Sequence, residues 1–167
     1  METLDLTRSP ESRRLYRLGA LGTIHLNGLV VRSATLTSGG TTFEVTRRGL
    51  LSRELTATEA GTRIGAFAPH RLNRGGRLDW RGDELRLEPA AHLAQRYALE
   101  SRGEALAFLQ ARGWWGWGSL TPVTVELPDG AAVDGPLLIF AVYVVRTLAD
   151  RAADDAAGAT VASTSSY

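Results

Sequence analysis

The sequence predicts a mainly β protein, an antiparallel closed barrel of about 12 strands threaded by one hydrophobic C-terminal α-helix. Three observations predict it. Short segments of alternating polarity, punctuated by glycines, run from Arg14 to Leu127. Part of that stretch repeats at a spacing of 42 residues. A late segment, "DGPLLIFAVYVVRTLADRAADDAAG", is apolar on every side in its first half, and such a helix must be surrounded by protein or lipid.

The clearest strand pair is "RLDWRGDELRL". Leu78 and Trp80 point one way, Gly82 turns the chain, and Leu85 and Leu87 return to the same face, while Asp79, Glu84, Arg86 and Glu88 point outward. Alternation of period 2 around a glycine is a hairpin signature. The pattern has a counterpart 42 residues upstream. Leu36 matches Leu78, Gly40 matches Gly82, and Phe43 and Val45 match Leu85 and Leu87. The same offset carries Leu51 to Leu93, Leu55 to Tyr97, Gly61 to Gly103 and Ile64 to Leu106. Residues 34–67 and 76–109 therefore read as two copies of a two-hairpin unit. Two copies of four strands cannot close a propeller, whereas a barrel removes the exposed edges of so many strands.

The C-terminal helix is expected over residues 136–151, with Asp134 at the N-cap and Pro136 in the first turn. Its apolar run, "LLIFAVYVV" at 137–145, stops at Arg146, far short of the roughly 20 residues that a membrane crossing needs. Residues 152–167 are small and polar and are expected to form a disordered tail. Residues 1–11 are expected to be a flexible N-terminus, which leaves a single barrel domain over 12–151. "METLDLTRSPESRR" has no apolar core for a secretion signal. The expected address is cytoplasmic, at most peripheral to the inner face of the membrane.

A dozen short antiparallel strands in two-hairpin units, closed by one C-terminal helix that is hydrophobic all round, resembles the tubby C-terminal-like superfamily. That superfamily includes the phospholipid scramblases and the LURP-one-related proteins. The resemblance covers roughly residues 12–150 and lies in layout rather than in a signature motif. It implies a strand barrel around a central helix, and it brings two known activities into view. Tubby binds a phosphoinositide through basic residues, and scramblases act at membranes with calcium. The sequence departs from the scramblases in having no cysteine cluster for palmitoylation and no acidic metal loop.

Composition removes several functions. There are no cysteines, hence no disulfide framework, thiolate metal site or cysteine nucleophile. All 19 basic residues are arginine, as a GC-rich coding sequence produces. Residues 1–112 hold 17 arginines against 12 acids, an excess of five, too dilute for the basic face that nucleic acid requires. His25, His70 and His92 lie far apart with no ligand spacing, so no metal site is expected. No nucleophile elbow, phosphate loop or converging acid and base is present, so neither catalysis nor a cofactor is expected.

Two arginine clusters remain. "HRLNRGGR", residues 70–77, places Arg71, Arg74 and Arg77 beside Gly75 and Gly76, whose backbone is free to form an N–H nest for an anion. "TRRG" at 46–49 adds Arg47 and Arg48. The competing reading of both is a solvated basic connection between strands. Three tryptophans in "ARGWWGWGSLTP" raise the question of a stacking platform. Residues 113–125 carry no charge, so Trp115 and Trp117 are expected to pack in the core, with Trp114 partly exposed. The expected function is a non-enzymatic module that docks through its arginine-bearing loops, with anionic phospholipid or a protein as partner. The alternatives are an adaptor that binds no lipid, or a carrier or enzyme with a pocket inside the barrel.

Overall fold

The structure, a computed structural model, describes residues 1–28, 33–48, 53–71, 74–91, 95–112 and 122–164. Among them are twelve strands and one helix: β1 (Glu2–Arg8), β2 (Leu15–Leu18), β3 (Gly22–Asn27), β4 (Ser33–Ser38), β5 (Thr41–Arg47) and β6 (Leu55–Glu59). There follow β7 (Thr62–Pro69), β8 (Gly76–Trp80), β9 (Asp83–Pro89), β10 (Arg96–Ser101), β11 (Glu104–Ala111), β12 (Val123–Leu127) and α1 (Gly135–Thr164). Every strand pairs antiparallel with its sequence neighbour, and β1 pairs with β12 to close the barrel.

The hairpin of β8 and β9 forms as its alternation predicts. Leu78, Trp80, Leu85 and Leu87 are buried while Glu84 and Arg86 are exposed. Trp80 faces Asp83 across a two-residue turn in which Arg81 and Gly82 both have positive φ, 48° and 89°. That geometry matches the right-handed twist of the flanking strands. The 42-residue repeat is equally visible. Ala60 and Gly61 turn β6 into β7 with φ of 47° and 80°, and Arg102 and Gly103 turn β10 into β11 with 53° and 82°. Each of these two pairs also carries a register shift, between Ala57 and Thr58 and between Leu99 and Glu100. So β4–β7 and β8–β11 are two equivalent four-stranded sets. The strands left over, β12, β1, β2 and β3, are contiguous in the ring and complete it as a third set built from both ends of the chain.

The helix fills the lumen. Leu137 to Val145 are buried without a break, which covers every side of more than two helical turns. They belong to one cluster with the inward residues of the strands. The helix packs on β3, β4, β11 and β12, while Phe140 stacks on Trp80 of β8 with ring centroids 5.4 Å apart. Phe43 of β5 meets the same indole edge-on at 5.5 Å. A helix that touches strands on opposite sides of a closed ring lies inside it. Gly22 marks a close approach, since a Cβ there would sit 2.3 Å from the Thr37 carbonyl oxygen and 2.8 Å from Ile139. Asp134 precedes the helix, and its carbonyl accepts from the Leu138 N–H at 2.9 Å. Its carboxylate accepts from Trp80 Nε1 at 3.0 Å, which pins the helix entrance to β8.

Three expected boundaries are corrected. Residues 1–11 are not a flexible N-terminus, because Glu2–Arg8 form β1 and bond to strands on both sides, Leu4 opposite Val125 and Leu6 opposite Leu18. Thr124 Oγ1 donates to Asp5 at 2.6 Å, and the terminal ammonium pairs with Asp129. The barrel therefore begins well before residue 12. Helix α1 does not stop at 151 in a disordered tail but continues to Thr164. Propagating an existing helix needs no new nucleus, and the alanines that follow favour it.

Candidate functional site

The two ends of the barrel differ. At one end the connections are tight, with two residues between β4 and β5, β6 and β7, β8 and β9, and β10 and β11. At the other, the connections between β1 and β2, β3 and β4, β5 and β6, β7 and β8, β9 and β10, and β11 and β12 run to between five and eleven residues. The helix enters at the tight end, with Gly135 against Ser38 and Leu21, and leaves at the open one. The tight end carries acids, among them Glu59, Asp83, Glu104, Asp129 and Asp134, beside Arg81 and Arg102 in two of its turns. The open end carries arginines, among them Arg13, Arg14, Arg48, Arg53, Arg71 and Arg112.

Both arginine clusters singled out in the sequence belong to the open end. Arg47 ends β5 and Arg48 follows it, Arg71 and Arg74 lie between β7 and β8, and Arg77 sits one residue into β8; all five are exposed. Their surroundings differ. Arg77 pairs with Asp79 at 3.3 Å, and Arg48 lies 3.9 Å from Glu54. Arg71 and Arg74 have no carboxylate within ion-pair distance among the described residues. The N–H nest expected at Gly75–Gly76 does not form. Gly76 is paired with both Pro69 and Leu87 in the sheet. Gly75, at φ 77°, leaves no room for a side chain, since its Cβ would lie 2.0 Å from the Leu87 carbonyl oxygen. These glycines serve close backbone approach. Trp114, Trp115 and Trp117 lie outside the described residues, as does His92.

The feature that sequence reading missed is where the helix leaves the barrel. A cavity of about 210 Å³ is lined there by Arg47, Leu55, Tyr143, Arg146, Thr147, Asp150, Arg151 and Asp154. Arg146, the residue that ends the apolar run, is itself drawn inside, its side chain 3% exposed. Its guanidinium lies over the Tyr16 ring at 4.9 Å and 3.8 Å from Asp150. Its Nε is buried without an acceptor, and so is Nη2 of Arg151. Burial pulls Arg146 below the ordinary guanidinium value, with Asp150 the first of the groups that oppose it. Burial also pulls Arg151 down, and repulsion from Arg47 and Arg53 adds to it. Desolvation pushes the Tyr16 and Tyr143 hydroxyls above their ordinary value, Arg146 offsetting part of each shift.

Elsewhere the chemistry is thin. A second depression, of about 430 Å³, is lined by Glu84, Arg86, Glu100, Arg102 and Gly103 toward the tight end. It mixes both signs of charge on exposed strands. His70 meets Glu88 at 3.6 Å and His25 bonds Asn27 at 3.2 Å. Among the described residues, no three metal-ligating side chains converge and no helix is long and apolar enough to cross a membrane. Neither a family model nor a curated protein nor a solved structure matches this chain.

Proposed function

We propose that this chain is a non-enzymatic barrel module that docks onto anionic phospholipid headgroups through the arginine-bearing connections at its open end. One observation carries the reading: the fold gathers arginines from separate connections at the open end, where they outnumber the acids of the described connections. Such polarity orients the module toward a negative surface before contact. Arg71 and Arg74, exposed and without a carboxylate partner among the described residues, are the groups best placed to give charge-assisted hydrogen bonds to phosphate. The filled lumen supports a non-enzymatic role, because interior chemistry has no room beside the helix. The likeness of layout to the tubby-like superfamily supports the same reading.

Co-sedimentation with vesicles tests it. The protein is expected to pellet with vesicles that contain phosphatidylserine and not with pure phosphatidylcholine, and less so at high salt, since exposed charges are screened over about 8–10 Å at physiological ionic strength. Replacing Arg71, Arg74 and Arg77 together with Ser is expected to abolish pelleting while leaving the melting temperature nearly unchanged. If binding survives that change, Arg47 and Arg48 are the next pair to replace. A wild-type protein that ignores anionic vesicles even at low salt removes lipid docking and leaves an adaptor to a protein partner.

A further inference from the structure

We infer that the cavity beside the helix exit is a discrete binding site for a phosphate-class oxyanion, held by Arg146, Arg151 and Arg47. Two buried donors lie at this exit of the helix. Arg146 Nε and Arg151 Nη2 belong to different guanidinium groups and are buried without an acceptor among the described residues, and both arginines contribute to the lining of one cavity. A buried charged donor left unpaired is among the costliest arrangements a fold tolerates, and its survival points to an acceptor supplied from outside. Arg146 does have Asp150 nearby, but at 3.8 Å that carboxylate takes one terminal nitrogen and leaves Nε unengaged.

The cavity selects the ligand's chemistry. Guanidinium groups outnumber carboxylates among its described lining residues, which favours an occupant with negative charge. Arg47 and Arg53 press electrostatically on Arg151, and an anion between them turns that repulsion into attraction. A tetrahedral oxyanion accepts from several directions at once, which suits donors arriving from the helix and from β5. Asp150 and Asp154 give the remaining wall a polar character that a long apolar ligand would not tolerate. A volume of about 210 Å³ admits a phosphate group together with part of the molecule that bears it.

This site is distinct from the exposed arginines proposed to dock on a membrane, and its test separates the two. The full chain is melted in inorganic phosphate and in chloride at equal ionic strength, and phosphate binding is measured by calorimetry. A ligand that binds only the folded state raises the melting temperature with concentration, so phosphate is expected to stabilise beyond chloride in a saturable manner. Arg151→Gln and Arg47→Gln, both at the cavity's outer part, are expected to fold and to weaken phosphate binding at least tenfold. Arg146→Gln serves as a third variant, and the inference does not rest on its folding. The triple Ser change at Arg71, Arg74 and Arg77 is expected to leave phosphate binding intact even where it abolishes pelleting. Vesicles of phosphatidic acid that displace the phosphate place the group on a lipid, and vesicles without effect place it on a soluble molecule; either supports the pocket. Equal responses to phosphate and chloride overturn it, and so does full phosphate binding by Arg151→Gln and Arg47→Gln.

Discussion

Phe140 shows how much one side chain carries here. It is wholly buried in the barrel lumen and stacks on Trp80, which in turn meets Phe43. Truncation to Ala removes that stack and leaves a cavity that a closed ring of strands cannot collapse into. The expected loss is about 3–5 kcal/mol, measured by urea unfolding. Val144, one turn on and equally buried, is expected not to tolerate Arg, because a new charge there has no partner. A soluble Val144→Arg variant that melts cooperatively would contradict the central position of the helix. Arg146, two residues further, is the informative contrast, a buried charge with an aromatic ring below it and Asp150 one turn away. The tyrosines predict a pH effect. Tyr16, Tyr97 and Tyr143 all have folded values raised by burial, above an unfolded value of about 10. Above that pH the unfolded chain sheds protons that the folded state retains, so stability is intact below about pH 10 and falls as pH rises through the folded values. Melting temperatures between pH 9 and 11.5 are expected to decline, and Tyr143→Phe is expected to flatten the decline.

Among the elements, β1 has the greatest structural consequence for its composition. Only Leu6 is buried along its seven residues, yet it is the strand that joins the two ends of the ring. Its stability comes from ladders on both sides rather than from its own apolar face. Deleting residues 1–8 opens the edges of β12 and β2, and unpaired edges recruit other chains. That variant is expected to lose cooperative unfolding and to elute as aggregates in gel filtration; a monomer with a sharp transition would show that β1 is dispensable. Helix α1 makes the opposite point. Its 30 residues span about 45 Å at 1.5 Å per residue, whereas a strand of eight residues reaches about 26 Å. The helix therefore extends past the barrel at the open end.

At the scale of the molecule, the barrel concentrates arginines at its open end, and salt dependence is the expected signature. Vesicle binding by the wild-type protein is expected to weaken steadily between low and physiological salt, and the triple Ser variant is expected not to pellet at either. How far this was legible beforehand varies by feature. The β8–β9 hairpin was legible because Leu78, Trp80, Leu85 and Leu87 alternate around Gly82, a local pattern that survives without context. The lumenal helix was legible because residues 137–145 are apolar on every side, and only a surrounding wall satisfies that. Strand β1 was not legible, since "TLDLTR" offers too little apolar signal and its pairing partners are supplied by tertiary closure. Gly75 and Gly76 read as an anion nest in sequence, while the Leu87 and Ala68 carbonyl oxygens packed against them show why glycine is needed. The cavity was hidden for the same reason. In the sequence Arg146 ends a hydrophobic run, and nothing local places Tyr16, Arg47 and Arg151 around it. Periodicity determined which residues turn inward in the β8–β9 hairpin and along 137–145, because alternation and helical phase are properties of neighbours along the chain. The meeting of distant cations in one desolvated cavity was decided by the closed barrel, because that proximity exists only after residues far apart in sequence share one end of it.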